Sequence, residues 1–102
     1  VDYPDFAKMV CTDLAEDDAN RGILICGSGQ GMAMVANKHK GIRAALCVNE
    51  EMVELARAHN DANVLTIGAR LVDEATAISC VDKFFSTPFE GDRHIKRVNK
   101  IG

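Results

Sequence analysis

A short apolar run that ends on a cysteine and enters a glycine-rich turn is the feature that most constrains how this chain can fold. Ile23-Leu24-Ile25 is typical of a buried strand, and residues 32–38 are typical of a helix. Cys26-Gly27-Ser28-Gly29-Gln30-Gly31 lies between them. Glycines allow backbone N–H groups to converge on an anion where a helix begins. The segment therefore predicts a strand–turn–helix unit that places a thiol at an anion-binding turn.

Strands and helices alternate along the rest of the sequence. We predict strands ending at Cys26, over 42–48 and over 63–67, and helices ending near Asp17 and over 32–38, 50–59, 73–85 and 91–100. This order predicts one α/β domain over residues 1–102, a three-layer Rossmann-like parallel sheet with helices on both faces. Ligands of such folds bind beyond the carboxyl ends of the strands. We expect Cys26, Ser28, Asn49 and Arg70 at that edge.

Composition excludes several classes of protein. The chain has 102 residues and a net charge of -3, which argues against a broad nucleic-acid surface. No apolar run is long enough to span a membrane. The four cysteines lack C-x-x-C spacing, which predicts reduced thiols in a cytoplasmic protein, with all but Cys26 acting as small buried hydrophobes: Cys11, Cys47 and Cys80.

Two further groups of polar residues carry candidate chemistry. His59 and Asn60 follow a predicted helix, where the imidazole could act as an acid or base or simply contact the helix dipole. Zinc is disfavoured because His59 has no partner ligand at i+4 on its helix. Arg93 and Arg97 are four residues apart, so they could clamp one phosphate or form an ordinary solvated face.

Several motifs in this order resemble the RpiB/LacAB sugar-phosphate isomerase family, type B ribose-5-phosphate isomerases. They are Asp2-Tyr3-Pro4-Asp5, G-I-L-I-C-G-S-G-Q-G-M, A-N-K, G-I-R-A-A-L-C, H-N-D-A-N-V-L, G-A-R and F-E-G-D-R-H-I-K-R-V. The resemblance implies interconversion of D-ribose 5-phosphate and D-ribulose 5-phosphate through a cis-enediolate, in the pentose phosphate pathway and without metal or organic cofactor. It also implies a homodimer or homotetramer in which the basic helix 91–100 reaches the partner's site.

The same resemblance assigns roles to individual residues. Cys26 would be the base that moves a proton between carbons 1 and 2, and Ser28 stands where the family often has threonine. His59 would open the sugar ring. Gly27, Gly29 and Gly31 would stabilise the enediolate together with the Ser28 hydroxyl, and the substrate and its phosphate would be bound by Asn60, Arg70, Arg93 and Arg97.

One family feature does not occur in the sequence. The family begins with a strand ending in Asp-His, a helix and a second strand, which gives five strands where three are predicted here. We expect the 102-residue chain made alone to be poorly stable and to have little or no isomerase activity. Three other functions remain open: a galactose-6-phosphate isomerase subunit, a non-catalytic phosphosugar-binding remnant, and a phosphocysteine carrier like a phosphotransferase-system IIB domain.

Overall fold

The computed structural model describes residues 21–102, over which strands and helices alternate as the sequence predicts. The strands are β1 (Gly22–Cys26), β2 (Ala44–Leu46) and β3 (Val64–Gly68), and the helices are α1 (Gln30–Ala36), α2 (Glu50–Asn60), α3 (Glu74–Ser86) and α4 (His94–Ile101). The helix predicted to end near Asp17, the Asp2-Tyr3-Pro4-Asp5 motif and Cys11 lie outside the described residues. Among helices α1 to α4, none combines the length and the apolar character needed to cross a membrane.

The three strands form one parallel sheet in the order β1-β3-β2. Every residue of the central strand β3 is buried, and Thr66 lies in register with Leu24 on one side and Leu46 on the other. Because β1 and β3 are parallel neighbours, the loops that follow them leave the sheet side by side. This order brings the glycine turn after Cys26 next to Gly68-Ala69-Arg70.

Helices cover both faces of the sheet, which confirms the three-layer α/β prediction. On one face, Met32 and Ala36 of α1 pack against Leu24 and Val64. On the other face, α2 and α3 contribute the second cluster of buried side chains, which includes Val53, Leu65, Ile67, Cys80 and Phe84. Alternate residues of β3 therefore supply the two halves of the core, as expected of a strand buried on both sides.

Element boundaries differ from the predicted ones where the apolar pattern extends beyond the regular structure. The second strand was predicted over residues 42–48, but β2 covers only 44–46. In α3, Ile78 and Phe85 belong to the apolar residues that the sequence predicts to face inward, but both are 54% exposed. The buried stripe of α3 passes through Cys80 and Phe84, four residues apart. Ile78 and Phe85 are displaced from that stripe around the helix, so they reach solvent.

Candidate active site

The turn after β1 folds back on the cysteine that precedes it. The Gly29 N–H donates a hydrogen bond to the Cys26 sulfur, with the nitrogen 3.1 Å from Sγ. Gly29 has φ +78°, in the left-handed region that glycine adopts without a steric penalty. The turn therefore places a backbone donor directly against the sulfur. The thiol that the sequence predicts to be reactive therefore contacts a backbone N–H of the glycine turn.

Gly29 and Gly68 allow this turn to lie directly on the end of β3. A Cβ at Gly29 would lie 3.0 Å from the Gly68 nitrogen and 2.7 Å from Leu46 Cδ1. A Cβ at Gly68 would lie 2.8 Å from Ser28 Cα. Backbone packs against backbone here, with no room for a side chain. Gly68 directly follows the strand predicted over 63–67, and the sequence pattern does not reveal this contact.

Arg70 is held beside the glycine turn by backbone hydrogen bonds. The Arg70 N–H donates to the Gly27 carbonyl at 2.9 Å, and the Ala69 N–H donates to the Cys26 carbonyl at 2.7 Å. The Arg70 side chain lies over Gly27, where a Cβ would be 3.4 Å from Nε. Arg70 is exposed and makes no ion pair within residues 21–102. Its guanidinium is thus available to an anion at the turn.

The turn borders a cavity of about 230 Å³ whose lining residues are Cys26, Gly27, Ser28 and Gly31. Sites that enclose a small molecule usually measure roughly 300–1,000 Å³, so this cavity is only part of such a site. Ser28 is exposed at its rim, with Oγ accepting from the Gln30 N–H at 3.4 Å. The cavity joins a half-buried thiol, a hydroxyl and backbone N–H groups at one edge of the sheet.

The other described cysteines have the environment of core residues. Cys47 and Cys80 are 2% and 1% exposed. Burial, with the nearby Cys80 thiol, raises the pKa of Cys47 to about 11, and burial followed by Glu50 raises the pKa of Cys80. Both are therefore protonated near neutral pH. The prediction that they act as small hydrophobes is confirmed, and Cys26 is the partly exposed thiol among the described residues.

His59 and Asn60 lie at the opposite edge of the sheet. Helix α2 leaves the carboxyl end of β2 and returns to the amino end of β3, so its last turn lies at the amino edge. Asp61, the next residue, bonds through Oδ2 to Arg43 at 3.2 Å, and Arg43 directly precedes β2. A five-residue strand spans roughly 16 Å at about 3.3 Å per residue. Cys26 and His59 of one chain therefore cannot act on one small substrate.

His59 belongs to a second cluster, formed with Glu90 and His94. Its Nε2 lies 3.8 Å from Glu90 Oε1, and the His94 Nε2 lies 3.6 Å from the same oxygen. The two imidazole rings stack with centroids 4.4 Å apart. Residues 90–94 line a cavity of about 170 Å³, which adds Arg93 to the cluster. Sequence reasoning missed Glu90, for which the F-E-G-D-R-H motif was the available signal.

Arg93 and Arg97 present their charges near this second cluster. Arg93 precedes α4 in helical geometry, with φ -61° and ψ -20°, and Arg97 follows four residues later on the same side of the helix. Both are exposed, and neither forms an ion pair among the described residues. The prediction that the pair could clamp one phosphate is compatible with this placement.

Asn60 lines a cavity that His59 does not line. This cavity measures about 660 Å³ and includes residues between 37 and 45 and the end of α4. Most polar side chains of this cavity make hydrogen bonds that stabilise the fold. Asn37 bonds the backbone of Ala44 in both directions, and Arg43 bonds Asp61. We assign no ligand to this cavity.

The His59–Glu90–His94 cluster offers three ligand atoms within 4.8 Å of one another. An imidazole binds a metal through a lone pair in the ring plane, so an ion shared by two rings must lie in both planes. The planes of His59 and His94 are inclined by only 16° and are stacked, which leaves no common position between the rings. The three side chains of the cluster therefore contact one another, and we assign no metal to them.

Comparisons with known proteins agree with the fold and with the motifs. The Ribose/Galactose Isomerase family matches residues 1–101. A putative sugar phosphate isomerase of Rickettsia bellii is 52% identical over 101 residues, which covers 99% of this chain and 70% of the relative.

Two solved structures are also similar to this chain. The crystal structure of a ribose 5-phosphate isomerase from Thermotoga maritima has a TM-score of 0.95 and 50% identity, covering 99% of this chain and 70% of that one. Ribose-5-phosphate isomerase B from Mycoplasma genitalium, with bound ribulose-5-phosphate, has a TM-score of 0.95 and 47% identity, covering 99% and 67%. The family match over residues 1–101, the 52% identity to the Rickettsia bellii relative and the shared fold show that this chain belongs to the Ribose/Galactose Isomerase family.

Proposed function

We propose that this protein interconverts D-ribose 5-phosphate and D-ribulose 5-phosphate, with Cys26 as the base. The observation that carries the proposal is the hydrogen bond from the Gly29 N–H to the Cys26 sulfur, in a turn where Arg70 is free to bind an anion. A relative with 47% identity holds ribulose-5-phosphate. The reaction belongs to the pentose phosphate pathway, and we place it in the cytoplasm.

The isomerisation needs one base, and the substrate and the product contain the same number of protons. In the aldose-to-ketose direction the Cys26 thiolate removes the proton on carbon 2, and the carbonyl π electrons move to oxygen 1. The resulting enediolate is stabilised by N–H groups of the turn and by the Ser28 hydroxyl. The thiol then returns the proton to carbon 1, while the proton of the carbon-2 hydroxyl moves to oxygen 1. Gly27, Gly29 and Gly31 keep the backbone close enough for these contacts.

His59 supplies the step that precedes this transfer, the opening of the sugar ring. Cys26 and His59 lie at opposite edges of the sheet. The cavity at Cys26, of about 230 Å³, and the cavity lined by residues 90–94 beside His59, of about 170 Å³, are each smaller than a usual ligand site. We therefore propose that two copies assemble one site, in a homodimer or homotetramer. One copy contributes Cys26, Ser28 and Arg70, and the basic helix of the other contributes the phosphate ligands Arg93 and Arg97, with His59 and Asn60 close by.

A six-carbon sugar phosphate is the second candidate substrate, since the family description includes galactose. A galactose-6-phosphate isomerase would use the same proton transfer. The presence of both the Cys26 thiol and the His59 imidazole favours the pentose. Comparing kcat/KM for ribose 5-phosphate with that for galactose 6-phosphate distinguishes the two, and a preference for galactose 6-phosphate would contradict the pentose assignment.

The proposal is tested by solvent exchange. The full product of the gene is incubated with ribose 5-phosphate in deuterium oxide, and deuterium at carbons 1 and 2 is followed by NMR. We expect exchange in the wild type, none in Cys26→Ala, and near-normal exchange in Cys47→Ala, which removes a core thiol. Binding of the sugar phosphate without exchange in the wild type would identify a non-catalytic binding protein. Exchange that survives in Cys26→Ala would contradict the role of Cys26.

A further inference from the structure

Glu90 is the carboxylate that faces both imidazoles of the second cluster. Its Oε1 lies 3.8 Å from Nε2 of His59 and 3.6 Å from Nε2 of His94. His59 is on α2, whereas Glu90 and His94 flank the turn that begins α4. One carboxylate oxygen thus lies beside the ring nitrogens of two stacked histidines that are far apart in sequence.

The backbone around Glu90 fixes where this carboxylate lies. The Glu90 N–H donates to the carbonyl of Ala58 at 3.0 Å, which ties the loop to the last turn of α2. Gly91 follows with φ +74°, and the His94 N–H donates to the Gly91 carbonyl at 2.9 Å. This turn therefore places both the Glu90 carboxylate and the His94 ring next to His59.

Burial and charge within the cluster disfavour a proton on His94. The His94 side chain is 6% exposed and that of His59 is 39% exposed. Burial lowers the pKa of His94, and the neighbouring His59, Arg93 and Arg97 lower it further against the opposing effect of Glu90. Two stacked imidazoles resist carrying two positive charges. His94 is therefore uncharged near neutral pH and packs against His59 as a neutral ring.

We propose that Glu90 and His94 are positioning residues that hold the His59 imidazole, in its protonated form, in the orientation needed to open the sugar ring. This inference rests on the proposed function. In the step itself the proton on Nδ1 of His59, the ring nitrogen that does not face Glu90, moves to the ring oxygen, the bond between carbon 1 and that oxygen breaks, and the anomeric hydroxyl releases its proton to solvent as the aldehyde forms. His59 then takes up a proton from solvent, so charge and protons balance.

The chemistry of the two sugars allows this role to be separated from proton transfer at carbon. Ribose 5-phosphate closes a ring through its carbon-4 hydroxyl. Ribulose 5-phosphate carries phosphate on the carbon-5 oxygen, so it cannot close the corresponding furanose and remains open-chain. Isomerisation of ribose 5-phosphate therefore needs ring opening. Exchange of the carbon-1 hydrogen of ribulose 5-phosphate with solvent needs only the base and the enediolate site.

The experiment compares these two reactions in Glu90→Gln. We expect kcat/KM for ribose 5-phosphate to fall about tenfold, part of the roughly 10²–10⁴-fold that a general acid contributes, with the ribulose exchange rate unchanged. Glu54→Gln removes a similarly weak ion pair, that with Lys83 at 3.9 Å, and should change neither reaction.

Two further variants keep the inference testable if Glu90→Gln folds poorly. Glu90→Asp retains the charge and should recover part of the ribose activity. His94→Phe keeps a flat ring against His59 and should lower the ribose reaction without changing the exchange. An equal fall in both reactions, or no fall in the ribose reaction, would overturn the inference. A wild type without ribulose exchange would instead contradict the proposed function.

Discussion

The Gly29 N–H points at the sulfur of Cys26, with the nitrogen 3.1 Å from Sγ, so the turn that follows β1 also supplies a hydrogen-bond donor to that sulfur. The contact depends on the left-handed conformation of Gly29 and on the absence of a side chain there. It links a local feature of the sequence, alternating glycines after a strand, to the reactivity of one thiol among three described.

Replacing Gly29 by alanine should impair both stability and activity. A Cβ at φ +78° costs about 1–2 kcal/mol, and it would also meet the Gly68 nitrogen and Leu46 Cδ1. We expect a loss of about 3 kcal/mol or more in the free energy of unfolding, measured by urea denaturation, with loss of isomerase activity.

Gly41→Ala is the matched control, because Gly41 has φ +83° with nothing within 4 Å of a Cβ. Its free energy of unfolding should fall only by the conformational penalty of about 1–2 kcal/mol, and the variant should remain active. Equal destabilisation of the two variants would show that the close packing of the turn on β3 contributes nothing.

Stability should fall at alkaline pH because of Cys47. Its folded-state pKa is raised to about 11 from the ordinary thiol value of 9.0, mainly by burial, so the folded state holds its proton more tightly than the unfolded state. The resulting stabilisation is complete below pH 9 and is lost as pH rises towards 11. Urea midpoints measured across this range should decrease, and less steeply in Cys47→Ala than in Cys26→Ala. If the urea midpoint falls equally steeply with pH in the two variants, Cys47 is not the origin of the effect.

Arg57 should be important for stability although its side chain carries a charge. It is 3% exposed, and it donates to Thr87 O at 3.0 Å, Ala62 O at 2.7 Å and Asp61 Oδ1 at 3.0 Å. Arg57→Met leaves these acceptors without their donor, at about 1–3 kcal/mol for each buried group.

The comparison for Arg57 is Lys83→Met, which breaks the exposed 3.9 Å pair with Glu54 and should cost at most about 1 kcal/mol. Thermal or urea unfolding measures both variants. An Arg57→Met protein as stable as Lys83→Met would mean that this buried network adds no net stability.

Phosphate binding should depend on Arg97 and be insensitive to Lys100. Both are exposed cations on α4, but Arg97 lies on the Arg93 side of the helix, near His94. A charge-assisted hydrogen bond contributes about 1.5–3 kcal/mol, so Arg97→Ala should raise KM for ribose 5-phosphate by about tenfold or more. Lys100→Ala, with the same change in net charge, should leave KM unchanged. A similar rise in both would indicate general electrostatic attraction in place of a specific clamp.

Local patterns in the sequence predict much of the fold. The alternation of strands and helices indicates a parallel sheet, and Asn49 caps α2 as expected by accepting from the Met52 N–H at 2.9 Å. The strand order β1-β3-β2 does not follow from local patterns, because it depends on which strands pair across long distances. Gly68 was missed for the same reason: its constraint is the Ser28 backbone, forty residues away.

The site was predictable only in part. Cys26 and its glycines form one continuous segment, so their proximity follows from the sequence. Glu90 approaches His59 through a backbone bond to Ala58 across more than thirty residues, so its place beside His59 does not follow from the F-E-G-D-R-H motif alone. The placement of His59 at the edge opposite Cys26 follows once α2 is known to run antiparallel to the strands.

The most direct test of a site shared between two copies is complementation of two inactive variants of the full gene product. Cys26→Ala and His59→Ala are unfolded together, refolded as a 1:1 mixture and assayed with ribose 5-phosphate. Random pairing makes half of the dimers hybrid, each with one intact site, so about one quarter of wild-type activity should return. Each variant refolded alone should remain inactive. Hybrid dimers with no recovered activity would show that Cys26 and His59 act within one chain, and would contradict the divided site.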